Sequence, residues 1–216
     1  AFVSEEKELY GSMTVEEMAR FTASFFPRWR KDLEERYLRR FELPRGRQVK
    51  ALSRGTRTKL ALLLALCRGA ELLVLDEPTS GLDPAAIEEV LAALVEQAAA
   101  EEVTVLFSSH QIGEVEQIAD RVAIIDRGRS IVSGVIDELR ERFCRVQVVF
   151  DADAPDVVLR SPGIERVRRS GRVLTILSSR GAEPIVEEAQ ALRPRSVEVV
   201  PVTLREIFLD SAVTEE

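Results

Sequence analysis

The chain has 216 residues, 45% hydrophobic and 31% charged, with 37 acidic against 30 basic side chains and a formal net charge of -7. That composition suits a folded protein with one large domain, or one medium and one small, and its acidity argues against nucleic acid as a partner. The longest apolar run, Leu60 to Cys67, is far too short to span a bilayer, and a single histidine rules out multi-histidine metal chemistry.

In chain order, residues 1–13 predict a short strand end followed by an irregular loop. Thr14-Val15-Glu16-Glu17 has capping-box form, so a helix is expected to start there. A second helix is expected from about Arg30 to Phe41, ended by Leu43-Pro44-Arg45-Gly46. Ser53 suits the N-cap of a helix running to about Arg68. Leu72–Leu75, Val103–Phe107 and Val122–Ile125 are continuous apolar runs, the pattern of parallel strands covered on both faces. A helix from Pro84 to about Ala100 separates the first two, with Asp83 as its N-cap and Pro84 in its first turn. The strand–helix–strand–helix–strand order predicts an α/β domain. Arg127-Gly128-Arg129 reads as a hairpin turn into Ser130–Val132.

A second unit is expected from about Arg145. Val146–Phe150, Arg172–Leu177 and Val197–Val202 read as strands, Ala182–Leu192 and Thr203–Leu209 as helices, and Ser170-Gly171 as a hairpin turn. The result is a small α+β domain, just large enough for its own core. Val213–Glu216 reads as a frayed tail. Cys67 and Cys144 are unclustered, which suggests buried thiols in a reducing compartment. The arginine clusters at Arg39-Arg40, Arg45–Arg47 and Arg166–Arg169 read as solvated faces.

Three places carry chemistry. Asp76-Glu77 ends a predicted parallel strand, at the edge where open α/β sheets bind ligands. There one carboxylate can hold a magnesium shell while its neighbour reaches a water. Two acids at a strand end are a weak signal alone; the continuation Pro78-Thr79-Ser80-Gly81-Leu82-Asp83-Pro84 strengthens it. Leu52-Ser53-Arg54-Gly55 opens a helix with free N–H groups and a glycine, which together form an anion site; taken alone, the tetrapeptide reads as an ordinary N-cap. His110, just past the strand Val103–Phe107, can hydrogen-bond a phosphate or a water-polarising carboxylate. A lone loop histidine is more often a surface or capping residue, and the placement of His110 beside the other two places is what raises it.

Together these motifs resemble the ATP-binding subunits of ABC transporters, over about residues 1–143. Leu72–Glu77 is similar to the Walker B strand, Ser53-Arg54-Gly55 to the signature motif, Ser80–Asp83 to the D-loop, and Phe2-Val3-Ser4-Glu5 to the segment ending in the Q-loop glutamine. The resemblance implies a P-loop NTPase fold of the ABC type. It also implies ATP and Mg2+ as cofactors, with Asp76 associated with the metal through water. Glu77 is then the general base and His110 the switch histidine. Ser53, Gly55 and Asp83 touch ATP across a dimer interface, and Glu5 stands at the Q-loop position. Residues 144–216 resemble, more weakly, the accessory tail of bacterial export-type members. The implied partners are a separate membrane permease and a second ATPase subunit, alike or different, with no nucleic acid. The implied location is cytoplasmic, peripheral at the inner face of the cell membrane.

The chain departs from the family pattern at four points. Arg54 replaces the first signature glycine, Thr56 the signature glutamine and Glu5 the Q-loop glutamine. No G-x-x-x-x-G-K-[ST] phosphate loop occurs in the 216 residues. The expectation is an N-terminally truncated ABC ATPase domain, inactive alone, with sheet edges and apolar faces left open. Two alternatives stand beside it: a degenerate subunit that completes a partner's ATP site, and a soluble ABC ATPase outside transport. Leu9–Phe26, with Leu9, Tyr10, Phe25 and Phe26 expected at the surface, is the candidate permease contact; ordinary helical packing is the competing reading.

Overall fold

A computed structural model describes residues 1–101 and 103–212. The expected frayed tail, Val213–Glu216, lies outside the described residues. The chain divides into two compact units, Ala1–Glu114 and Val115–Glu216.

The first unit contains β1 (Phe2–Val3), α1 (Val15–Ala23), α2 (Lys31–Arg40), a 3-10 turn (Val49–Ala51), α3 (Arg54–Leu66), β2 (Leu72–Asp76), α4 (Pro84–Glu101) and β3 (Thr104–Ser108). It ends within the first turn of α5 (Ile112–Ile118). The caps that the sequence announces are made. Thr14 Oγ1 accepts from the Glu17 amide, and Glu17 Oε2 accepts from the Thr14 amide at 2.8 Å. Ser53 Oγ accepts from the Thr56 amide at 3.1 Å. Asp83 Oδ1 accepts from the Ala86 amide at 3.0 Å. Each cap satisfies an amide that has no partner inside its helix. α3 is the unit's central helix, with Leu60 to Cys67 all buried, and it packs on α1, α2, α4 and β1.

β1, β2 and β3 form a parallel sheet in that order. Register puts Val3, Leu75 and Phe107 on one face and Phe2, Val74 and Leu106 on the other. The first face carries the core: Val3, Leu73 and Leu75 are buried. On the second face Phe2 is 58% exposed and Leu106 61%. Among the described residues the strands are thus covered on one face, and the other is open, as expected of a truncated sheet. The helices bury the Leu73–Leu75 side, while the apolar side chains of the other face stay in contact with solvent.

The second unit begins with a hairpin of β4 (Arg121–Asp126) and β5 (Arg129–Val135). Val122–Ile125 was expected to run parallel with the other apolar runs; it pairs antiparallel with β5 instead. The two turn residues Arg127 and Gly128 both have positive φ, 47° and 76°. That geometry returns the chain at once onto the strand it has just left. After α6 (Ile136–Arg142) comes a four-stranded antiparallel sheet in the order β7-β8-β6-β9. Its strands are β6 (Cys144–Val149), β7 (Ile164–Ser170), β8 (Val173–Ser178) and β9 (Ser196–Pro201). α7 (Glu183–Ala191) sets Ile185 and Ala189 against Val146, Val148, Leu174 and Ile176. In α8 (Leu204–Ala212), Leu204 and Ile207 are buried, and Glu206 pairs with Arg145 of β6.

Candidate functional site

The last register pair of β2 and β3 joins Asp76 to Ser108. Both strands end there, so the side chains beyond them gather at the carboxyl edge of the sheet. Ser108 Oγ donates to Asp76 Oδ1 at 2.7 Å and accepts from the Glu77 amide at 3.1 Å. Glu77 has φ 45°, a left-handed conformation that few non-glycine residues adopt. The turn throws its carboxylate across to the loop after β3. Its Oε1 accepts from the His110 amide at 3.0 Å, and its Oε2 meets His110 Nδ1 at 2.9 Å. His110 Nε2 lies 3.2 Å from Gln111 Nε2. The hydrogen bond and charge of Glu77 hold the imidazole above its ordinary pKa. Lys7, in the loop after β1, places Nζ 3.5 Å from the Asp76 carbonyl oxygen. Burial pushes its ammonium below the usual value, against the pull of the Asp76, Glu5 and Glu77 carboxylates.

Glu77 also starts a chain of tight turns. The Ser80 amide donates to the Glu77 carbonyl at 3.2 Å, and the Leu82 amide to the Thr79 carbonyl at 3.1 Å. Gly81, at φ 78°, lies beneath the Arg54 side chain; a Cβ there would sit 2.8 Å from Arg54 Nε. Arg54 Nη2 donates to Ser80 Oγ at 3.1 Å. A Cβ on Gly55 would meet Leu82 Cδ2 at 3.2 Å. The start of α3 and the Ser80–Leu82 loop are thus one packed feature. Arg54, which departs from the resembled pattern, is the side chain that ties them.

The structure therefore brings Asp76, Glu77 and His110 into one hydrogen-bonded set. It places Ser53 and Gly55 at the start of α3, beside the loop that follows Glu77. Asp83 goes elsewhere, into a shallow depression with Arg40, Lys59, Ala86 and Glu89. Glu5 is exposed, with its charge within electrostatic reach of Lys7 and His110. Sequence reasoning missed Ser108 and Lys7 as members of the set. Ser108 had a signal, because it faces Asp76 once the two strands are aligned; Lys7 had none. A cavity of about 470 Å³ lined by Trp29, Leu66, Leu73, Gln97 and Val103 opens at the other end of β2 and β3 and contains none of these residues.

Of the expected permease contact, Tyr10 and Phe25 are 59% and 63% exposed. They sit on either side of Phe21 in edge-to-face contacts, with ring centroids 5.4 and 5.0 Å apart. Leu9 and Phe26 are half-buried, which corrects their expected exposure. Phe26 is covered by the Arg68 guanidinium, 4.7 Å from its ring centroid.

Among the described residues, no group of three or more Asp, Glu, His or Cys side chains could hold a metal alone. Asp76 with the Ser108 hydroxyl fits magnesium, which is commonly held by one or two carboxylates and completes its shell with water and phosphate oxygens.

Residues 20–116 match the family described as AAA domain, putative AbiEii toxin, Type IV TA system. The ABC transporter ATP-binding protein YtrB of Bacillus subtilis is 24% identical over 204 residues, 94% of this chain and 70% of that protein. The chain's homologues are ABC transporter ATP-binding proteins. Another of these, the Nod factor export ATP-binding protein I of Ralstonia nicotianae, is 35% identical over 79% of this chain and 55% of its own length. A solved ATP-binding subunit of an ABC transporter superposes with a TM-score of 0.58 at 30% identity, covering 65% of this chain and 60% of that one. The chain carries the ABC ATPase fold, and it spans 55% to 70% of the length of these three relatives. No helix among the described residues is long and apolar enough to cross a membrane.

Proposed function

We propose that the chain is part of the ATP-binding and ATP-hydrolysing subunit that powers a separate membrane permease, in export. The observation that carries this reading is the joined set Asp76–Ser108–Glu77–His110 at the carboxyl edge of β2 and β3. Relatives that include an export ATP-binding protein support it. Residues 1–143 are the ATPase portion and 144–216 the accessory portion. The subunit works at the cytoplasmic face of the membrane, paired with a second ATPase subunit.

In this reading Glu77 is the general base that takes a proton from the attacking water. His110 fixes the direction of the Glu77 carboxylate through its amide and Nδ1. Asp76 and the Ser108 hydroxyl would hold magnesium through water. Magnesium, when bound, supplies positive charge against the phosphates. Ser53 and Gly55 serve the partner subunit's ATP, so electrostatic stabilisation comes from both sides of the interface. Tyr10 and Phe25, exposed on either side of the half-buried Phe21, offer the permease an aromatic surface.

A second reading is favoured by Arg54, whose side chain occupies the signature position and grips Ser80. In it the chain is a non-catalytic subunit that completes its partner's site. One experiment separates the two. The 216-residue chain alone, which has no phosphate loop, is expected to show no magnesium-dependent ATP hydrolysis. It is then paired, once as it is and once with a relative's phosphate-loop segment joined ahead of Ala1, with an ATPase subunit that carries a phosphate loop but a Gln in place of its own general base. Hydrolysis that appears only with the joined segment and is lost with Glu77→Gln supports the catalytic reading. No hydrolysis there, while a partner with its base intact is stimulated and loses that stimulation with Ser53→Ala, supports the second. Stimulation of neither kind removes both. Unchanged co-purification of a Leu9→Ser, Tyr10→Ser variant with the permease counts against the aromatic contact.

A further inference from the structure

Glu114, in the first turn of α5, is a buried carboxylate to which the proposed chemistry gives no task. The residue is buried, at 9% exposure. Its Oε2 accepts from Thr79 Oγ1 at 2.6 Å and from Ser109 Oγ at 3.1 Å. Ser109 Oγ in turn accepts from the Gln111 amide at 3.0 Å. Thr79 is itself buried, at 3% exposure. A buried carboxylate needs hydrogen-bond donors in place of water, and here both donors are hydroxyls from different loops. Thr79 belongs to the loop after β2, two residues past Glu77. Ser109 belongs to the loop after β3, next to His110.

We infer that Glu114 is a positioning residue whose carboxylate clasps the Thr79 and Ser109 hydroxyls and so holds the two loops at the spacing that brings Glu77 onto His110. Glu77 adopts a left-handed backbone conformation, and such a residue keeps its place only when its surroundings over-determine it. The Asp76–Ser108 pairing anchors the loops where the strands end. The Glu114 clasp joins them a second time, two residues past Glu77 on one loop and one residue before His110 on the other. The two loops are therefore held at two points beside the contact. Only the description of Glu77 and His110 as a hydrolytic pair rests on the proposed function; the clasp itself does not.

The test needs no ATP and uses the whole chain. The His110 amide donates to Glu77 Oε1 at 3.0 Å, so its exchange with water, read by NMR, reports the contact. The side chain of this only histidine gives a second, unambiguous signal. Thr79→Val keeps the shape and the net charge but removes one hydroxyl; Thr79→Ser keeps the hydroxyl and removes the methyl group. The inference expects His110 amide exchange to speed up about tenfold in the valine variant and to stay within about twofold of the parent in the serine variant. Exchange unchanged in the valine variant, or equally faster in both, overturns it. Should the valine variant fail to fold, Ser109→Ala removes the other arm; faster exchange supports the clasp and unchanged exchange overturns it. ATP hydrolysis enters none of these outcomes, so the clasp can fail while the proposed function stands, and the reverse.

Discussion

The Arg54–Gly81 contact makes a quantitative prediction about Gly81→Ala. Gly81 has φ 78°, and an added methyl group would sit 2.8 Å from Arg54 Nε and 2.9 Å from Arg54 Cδ. A side chain in the left-handed region costs about 1–2 kcal/mol. The methyl group also displaces Arg54 from Ser80, and the lost exposed hydrogen bond contributes about 0.5–1.5 kcal/mol. The sum is roughly 2 kcal/mol. Trp29, the chain's single tryptophan, lies in the first unit, so its fluorescence follows that unit's unfolding in urea. With an m-value of about 2 kcal/mol/M, the midpoint should fall by about 1 M. The decisive control repeats the substitution in an Arg54→Ala background. There the contact is already gone, and Gly81→Ala should cost only its backbone share, about 1–2 kcal/mol, without the hydrogen-bond share. Equal costs in the two backgrounds would refute the coupling between the start of α3 and the Ser80–Leu82 loop.

Three further outcomes are expected. Glu77→Gln should lower the His110 pKa, measured from its imidazole shifts by NMR, because it weakens the hydrogen bond and removes the charge that do most to raise it. Because Glu77 raises that pKa in the folded state, the stabilisation from charged His110 is fully present below the ordinary histidine value and disappears as pH rises through the raised one. Leu63→Ala, at a fully buried position of α3, should cost about 3 kcal/mol in the same urea assay; a loss below about 1 kcal/mol would mean that α3 is not the packed centre of its unit. Burial pushes the Cys67 thiol up to about 12. A thiol reagent at pH 8 should therefore leave Cys67 unmodified in the native protein and label it once denaturant is added. Rapid native labelling would contradict its burial.

Local chemistry made much of the fold legible. The Thr14–Glu17 box, the Ser53 cap, the Asp83 cap and the apolar runs at β2 and β3 all depend on residues a few positions apart. β7 escaped because Ile164-Glu165-Arg166-Val167-Arg168-Arg169-Ser170 carries mostly charged side chains, a composition suited to a sheet edge and poor in strand signal. α6 escaped because Val135 precedes it without a side-chain cap. At the site, Asp76, Glu77 and His110 were readable from strand ends and motif order. Arg54 over Gly81, and Glu114 between Thr79 and Ser109, were not. The Arg54–Ser80 and Thr79–Glu114 hydrogen bonds join residues 26 and 35 positions apart, and they arise only after two loops have been set side by side.

The backbone at residue 77 carries a wider consequence. A chain selected for thermal endurance alone would put glycine there, since glycine enters the left-handed basin without a steric penalty. This chain keeps a long acidic residue in that basin and secures it from the next strand. A left-handed torsion thus coincides with the carboxylate that meets His110. Efforts to make the protein sturdier should leave that position alone and work on the open side of the sheet.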